Sequence, residues 1–147
     1  MAEIISDDIL DAAYEEIAEY SDTQVRSEIK RLSTTQPALL AYFVANTDSL
    51  DQEAQELGIL LFLIMHKAFE KQFGDRLQRA DSQRVEKIAD QTESKDTDNQ
   101  PNLFAYVRES VQEPHEDEPE LPVDAQEVLS NTMRTVIDVL NSSVRTS

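Results

Sequence analysis

The stretch "LGILLFLIM", residues 57–65, consists of one glycine and eight large apolar residues. It lies in a proline-free segment, roughly residues 51–73, that is followed by Gly74, a residue suited to a left-handed helix cap. A helix that is apolar on all sides is normally enclosed by other helices or by a second subunit. We therefore predict a long central helix here, opened by a capping box at Ser49 and Gln52.

The composition around this stretch favours an all-α protein. Only 2 of the 147 residues are glycine, whereas hairpins and phosphate-binding loops depend on glycine. A chain of this length fits one domain, 1–147, which we predict to be a bundle of six to seven helices. The apolar run is far shorter than the ~20 residues needed to cross a bilayer, so we expect no membrane insertion and a cytoplasmic location.

Capping signals predict where the other helices begin. Ser6 suits an N-cap, Ser21 with Gln24 forms a capping box, and Pro37 fits a first helical turn. The last helix is expected at about residues 123–141. In the helix that Pro37 opens, four apolar residues are expected to face inward: Leu39, Leu40, Phe43 and Val44.

Two segments of the chain resemble each other. "QPALLAYF" and "QPNLFAYV" share five of eight residues, and each is followed by Ala-Gln-Glu, at residues 54–56 and 125–127. We predict an internal duplication with pseudo-repeats 22–73 and 81–142, and with linkers at 92–99 and 112–122. The residues that define the repeat are Gln36, Pro37, Tyr42, Gln100, Pro101 and Tyr106.

The charge of the chain limits its partners. Thirty acids against thirteen bases give a net charge of −17, which disfavours nucleic acids and anionic membranes. Only Arg76, Arg79 and Arg84 suggest a local basic stripe. The acidity suits solubility, adaptation to salt, a basic protein partner, or an inhibitor that imitates nucleic acid. The acidic, proline-rich segment 113–122 is the expected contact for a basic partner.

Candidates for catalysis are few. The chain has no cysteine, so disulfides, thiolate catalysis and cysteine-bound zinc are excluded. His66 and Glu70 lie one helical turn apart, and Glu53 and Glu56 form a second pair. These four residues are a weak metal-site alternative, in which Lys67 and Lys71 would hold phosphate. His115 lies among acids in the proline-rich segment and is expected to be a solvated linker residue.

These features predict a non-catalytic interaction or assembly module without a cofactor. We expect a homo-oligomer through the central helix, or a basic protein partner. The alternative is a divalent-metal-dependent nucleotide hydrolase that uses helix carboxylates. The residues expected at the interface are Leu57, Leu60, Leu61, Phe62, Ile64 and Met65.

Overall fold

A computed structural model describes residues 4–92, 100–112 and 122–145. These residues contain seven α-helices, as the composition predicts, and one short 3₁₀ helix at Gly74–Arg76. The α-helices are α1 (Asp7–Ala18), α2 (Asp22–Thr35), α3 (Pro37–Thr47), α4 (Gln52–Phe73), α5 (Ser82–Thr92), α6 (Pro101–Gln112) and α7 (Val123–Ser142). Within the described ranges, the only strand-like pairing is a single antiparallel bridge between Leu77 and Val144.

The two longest helices, α4 and α7, pack against each other and form the centre of the bundle. Helix α1 packs along α4, while α3, α5 and α6 pack along α7. The second half of the apolar stretch of α4 is enclosed, because residues 61–65 are each at most 5% exposed. The prediction of a central apolar helix is therefore confirmed, and its neighbours belong to the same chain. Among the described residues, none of the helices is long and apolar enough to span a lipid bilayer.

The predicted caps are correct for α1 and α2 but wrong for α4. The Ser6 hydroxyl accepts the N–H of Ile9, and Ser21 and Gln24 form the complete capping box. At α4 the N-cap is Asp51, whose carboxylate accepts the N–H of Ala54 at 3.0 Å. Aspartate caps a helix as well as serine does, and Asp51 directly precedes the first helical residue. The C-terminal cap is the predicted Gly74, at φ +55°.

Gln36 joins α3 to the start of α5. It precedes Pro37 and is only 2% exposed. Its Oε1 accepts the N–H of Ala80 at 3.0 Å, and its Nε2 donates to the carbonyl of Gln78 at 2.8 Å. A buried side-chain amide thus satisfies two backbone groups in the segment that enters α5.

Gln100 performs a similar role at the start of α1. It precedes Pro101 and is fully buried. Its Oε1 accepts the N–H of Ile5 at 2.8 Å, and its Nε2 donates to the Asn141 side chain at 2.9 Å. Each Gln-Pro pair therefore opens a helix and also holds the residue that precedes the N-cap of a distant helix.

Candidate protein-interaction surface

A groove of about 300 Å³ lies between α3 and the first half of α4, and we call it the α3–α4 groove. Most of its accessible surface is apolar, and Val44 on its wall is 52% exposed. Exposed apolar surface in a concave site is typical of a binding surface. The groove is lined by Phe43, Val44, Thr47, Asp48, Gln52, Gln55, Glu56 and Ile59.

The exposure of Val44 corrects the prediction that it faces inward. Leu39 and Phe43, one turn apart, are buried as expected, at 0% and 3% exposure. Val44 lies about 100° around the helix from Phe43, because α-helices have 3.6 residues per turn. Helix α3 has more apolar residues than fit on its buried face. This excess of apolar residues is the feature of the sequence that could have indicated a groove.

One side chain fixes the turn at the end of the groove. The Nε2 of Gln55 lies 2.9–3.1 Å from three carbonyl oxygens, those of Thr47, Asp48 and Leu50. These carbonyls belong to the C-terminal end of α3 and to the connection that follows it, where backbone acceptors have no helical partner. The turn between α3 and α4 is thereby bound to α4 itself.

The floor of the groove depends on a close approach at Gly58. A Cβ atom at this position would lie 3.1 Å from Cζ of Phe43 and 2.8 Å from Cδ2 of Leu129. Phe43 also packs edge-to-face on Phe62, with ring centroids 5.1 Å apart. Glycine therefore lets α3 and α7 both approach α4, and it sets the position of the Phe43 ring beneath the groove.

The groove region carries only negative charge. Residues 32–66 include Asp48, Asp51, Glu53 and Glu56 but no lysine or arginine. In the described part of the chain, Asp48, Asp51 and Glu56 form no salt bridge, and Glu56 accepts a hydrogen bond from Gln52 at 3.1 Å. Among the described residues, no salt bridge to a base therefore neutralises Asp48, Asp51 or Glu56.

At the other end of α4 the charges are balanced. We define the α1–α2–α4 charge cluster as Glu16, Glu28, Arg31, Lys67, Glu70 and Lys71. Lys67 lies 3.2 Å from Glu16, 3.5 Å from Glu28 and 3.8 Å from Glu70. Arg31 binds Glu28 at 3.0 Å and binds both carboxylate oxygens of Glu70, while Lys71 lies 3.0 Å from Glu16. Three acids and three bases thus connect α1 and α2 to α4.

The pKa shifts in the cluster follow from these contacts. The hydrogen bond from Lys71, assisted by those from Tyr20 and Lys67, outweighs burial and lowers the pKa of the Glu16 carboxyl to about 2. Burial alone would lower the pKa of Lys67, but the Glu16 and Glu28 carboxylates outweigh it and raise the pKa. Burial would raise the pKa of Glu70, but the hydrogen bond and charge of Arg31, together with the charges of His66 and Lys67, outweigh burial and lower the pKa. Glu16, Lys67 and Glu70 are therefore charged at neutral pH.

His66 is buried beside this cluster. Its side chain is 4% exposed, and its Nδ1 lies 3.4 Å from Oε1 of Glu70. The carboxylate favours the charged imidazolium, but burial is the larger effect and lowers the pKa of His66. The neutral imidazole is the form that this site stabilises at pH 7.

The structure does not bring the candidate metal ligands together. Glu56 and His66 are ten residues apart on one helix, about 15 Å along its axis. No three His, Asp or Glu side chains among the described residues group closely enough to hold a metal ion. Lys67 and Lys71, the proposed phosphate ligands, are paired with carboxylates. Glu53, Glu56, His66 and Glu70 therefore do not form one ligand cluster in the described part of the chain.

Four of the six expected interface residues lie inside the chain's own core. Leu61, Phe62, Ile64 and Met65 are at most 5% exposed, so a partner could not reach them without unfolding. Leu57 is partly buried, whereas Leu60 is 39% exposed and lies one turn after Glu56. The sequence correctly marks this stretch as buried, but helices of the same chain cover it.

The three arginines of the suggested basic stripe bind backbone carbonyls. Arg79 donates to Thr34 at 2.7 Å near the end of α2, and Arg84 donates to Ser142 at 3.2 Å at the end of α7. Arg76 donates to the carbonyl of Arg145 at 3.2 Å. Basic side chains are favourable at helix C-termini because the last carbonyls have no helical partner.

Several predictions fall on residues that the structure does not describe. They concern residues 93–99 of the first linker, residues 113–121 of the second, and His115. The expected contact between the acidic segment 113–122 and a basic partner lies almost wholly outside the described residues.

The comparisons with known proteins give no match. No protein-family model, curated protein sequence or solved structure shows a significant similarity to this chain.

Proposed function

We propose that this protein is a non-catalytic interaction module that contacts another protein through the α3–α4 groove. The observation that supports this function is an apolar groove, bordered by acids and walled by the exposed Val44. The charge cluster at the other end of α4 suits a different role, since its bases are neutralised by its own acids. A cytoplasmic location remains part of this proposal.

Self-association is the second form of this proposal. A homodimer through α3 and α4 would use the exposed residues Val44 and Leu60, because Leu61, Phe62, Ile64 and Met65 are covered within the chain. Two copies that each carry a charge of −17 repel each other at low salt. Sedimentation equilibrium distinguishes the two forms, and a monomer at high micromolar concentration would contradict the homodimer.

Affinity capture with matched variants tests the interaction function. The baits are the wild type, Val44→Asp in the groove, and Val123→Asp, a control at an exposed valine that is 68% accessible on α7. We expect one partner to be retained by the wild type and by Val123→Asp and lost with Val44→Asp, as measured by quantitative mass spectrometry. Identical capture by all three baits would contradict the role of the groove.

We also propose that the chain arose by internal duplication. In support, Gln36 of the first half holds Ala80 ahead of α5, and Gln100 of the second half holds Ile5 ahead of α1. These two contacts make α5 the counterpart of α1. The predicted repeats 22–73 and 81–142 instead make α5 the counterpart of α2. Since each glutamine satisfies two groups, Gln36→Leu and Gln100→Leu should each lower the unfolding free energy by about 2 kcal/mol. Strongly unequal losses in urea denaturation would count against their equivalence.

A further inference from the structure

We propose that the α3–α4 groove binds an amphipathic helix of another protein, with an apolar face in the groove and lysine or arginine residues along its flanks. This inference rests on the proposed interaction function and specifies the class of partner. It is argued below from the shape of the groove and from its charge.

The shape of the groove favours a helical ligand. Its two walls are the helices α3 and α4, and its apolar lining includes Phe43, Val44 and Ile59. Amphipathic helices bind such grooves by inserting apolar side chains spaced three or four residues apart. A peptide that binds by strand addition would instead need an exposed strand edge. Among the described residues the only strand-like pairing is at Leu77 and Val144, outside the groove lining.

The charge of the groove favours a basic ligand. Asp48 and Glu56 line it, and Asp51 lies in the connection between them. No lysine or arginine occurs anywhere in residues 32–66, so the chain itself supplies no base to these acids from this region. Complementary charge accelerates association and selects between partners. A second copy of this acidic chain is therefore a poorer ligand than a basic helix.

The probes are two synthetic 18-residue helical peptides. Both have leucine at positions i, i+3, i+4 and i+7 of each two turns, and the remaining face carries lysine in one peptide and glutamate in the other. Fluorescence anisotropy at 50 mM salt gives the affinities. We expect the lysine peptide to bind at least tenfold more tightly and to shift the backbone amide resonances of Val44 and Ile59.

Variants locate the binding and separate its causes. Val44→Asp places a charge in the apolar wall of the groove and should lower the affinity for the lysine peptide at least tenfold. The double variant Asp48→Asn, Glu56→Gln should lower the affinity for the lysine peptide about threefold to tenfold at 50 mM salt. At 0.5 M salt it should differ little from the wild type, because salt screens exposed charges. The control Glu15→Gln, Glu86→Gln removes the same charge from exposed positions on α1 and α5 and should leave the affinity within twofold.

The outcomes distinguish the two proposals. Equal binding of both peptides in the groove would overturn the basic partner class and leave the interaction function standing. Equal weakening by the charge variant and by its control would show non-specific attraction and overturn the proposal. If neither peptide binds and Val44→Asp also changes no captured partner, both the partner class and the function of the groove are overturned.

Discussion

The two ends of α4 differ in whether their charged residues form salt bridges. At the C-terminal end, Lys67 and Lys71 are paired with acids from α1, α2 and α4, so that acids and bases balance. At the N-terminal end, Asp48, Asp51 and Glu56 have no salt bridge within the described part of the chain. One end uses its charges to hold helices together, and the other presents them to solvent.

This difference indicates where a partner would bind. Charges that are already paired have little to gain from a new partner, whereas unpaired acids beside an exposed apolar surface gain both charge neutralisation and burial. Of the charged residues at the two ends of α4, we therefore expect those at the C-terminal end to contribute more to the stability of the fold. Those at the N-terminal end should contribute more to binding.

Among the changes that compare the two ends of α4, Lys67→Met is expected to have the largest effect on stability. The Lys67 side chain is 13% exposed and is the base shared by Glu16, Glu28 and Glu70. Its removal leaves partly buried carboxylates with too few bases, so we expect the unfolding free energy to fall by about 2 kcal/mol. Urea denaturation followed by circular dichroism measures this loss.

The matched change at the other end is Glu56→Gln. Because Glu56 is exposed and has no salt bridge within the described residues, we expect a change within about 0.5 kcal/mol. Equal effects of Lys67→Met and Glu56→Gln would show that the two ends do not differ in the way described.

An effect smaller than that of Lys67→Met is expected from Gly58→Ala, which lies between the two ends of α4. Alanine improves helix propensity by about 1 kcal/mol, but overpacking of a core costs about 1–3 kcal/mol. The added Cβ would meet the buried Leu129 at 2.8 Å and the Phe43 ring at 3.1 Å, so we expect a net loss of about 1 kcal/mol in the same urea assay.

A double-mutant cycle with Leu129→Val identifies the cause of this loss. The shorter valine side chain removes the atom closest to the new Cβ. Gly58→Ala should therefore be less destabilising in the Leu129→Val background than in the wild type. A gain in stability from Gly58→Ala alone would show that helix propensity outweighs the close approach at this position.

Much of the fold could be predicted because its signals are local. The caps at Ser6 and Ser21 and the helix end at Gly74 each depend on a few neighbouring residues, and the apolar run of α4 marks a buried helix without tertiary information. The error at Ser49 has a local cause too, since Asp51 competes for the same cap and lies closer to the helix.

The set of exposed residues around α3 and α4 could not be predicted, because it depends on which helices pack against each face. Four of the expected interface residues are enclosed by helices of the same chain: Leu61, Phe62, Ile64 and Met65. Val44 was expected inside, but its side chain is 52% exposed. The partners of Lys67 come from three helices, and sequence spacing reveals only the contact with Glu70 on its own helix.

The smallest expected effect concerns His66, which lies next to the paired end of α4. Its pKa is lowered in the folded protein, chiefly by burial, so the unfolded chain binds a proton more readily than the native state does. The stability that neutral His66 contributes is therefore complete above its ordinary pKa of about 6.5 and declines as the pH falls below that value. Urea midpoints between pH 7.5 and 5.5 should decrease slightly.

Two histidine variants test whether this decline in the urea midpoint is caused by His66. His66→Gln keeps a polar side chain but cannot take up the proton, so its urea midpoint should stay nearly constant over the same pH range. His115→Gln removes the only other histidine and should keep the wild-type decline. A decline that persists in His66→Gln would place the titrating group elsewhere. Loss of the decline in His66→Gln alone would show that burial at this end of α4 outweighs the attraction of the Glu70 carboxylate.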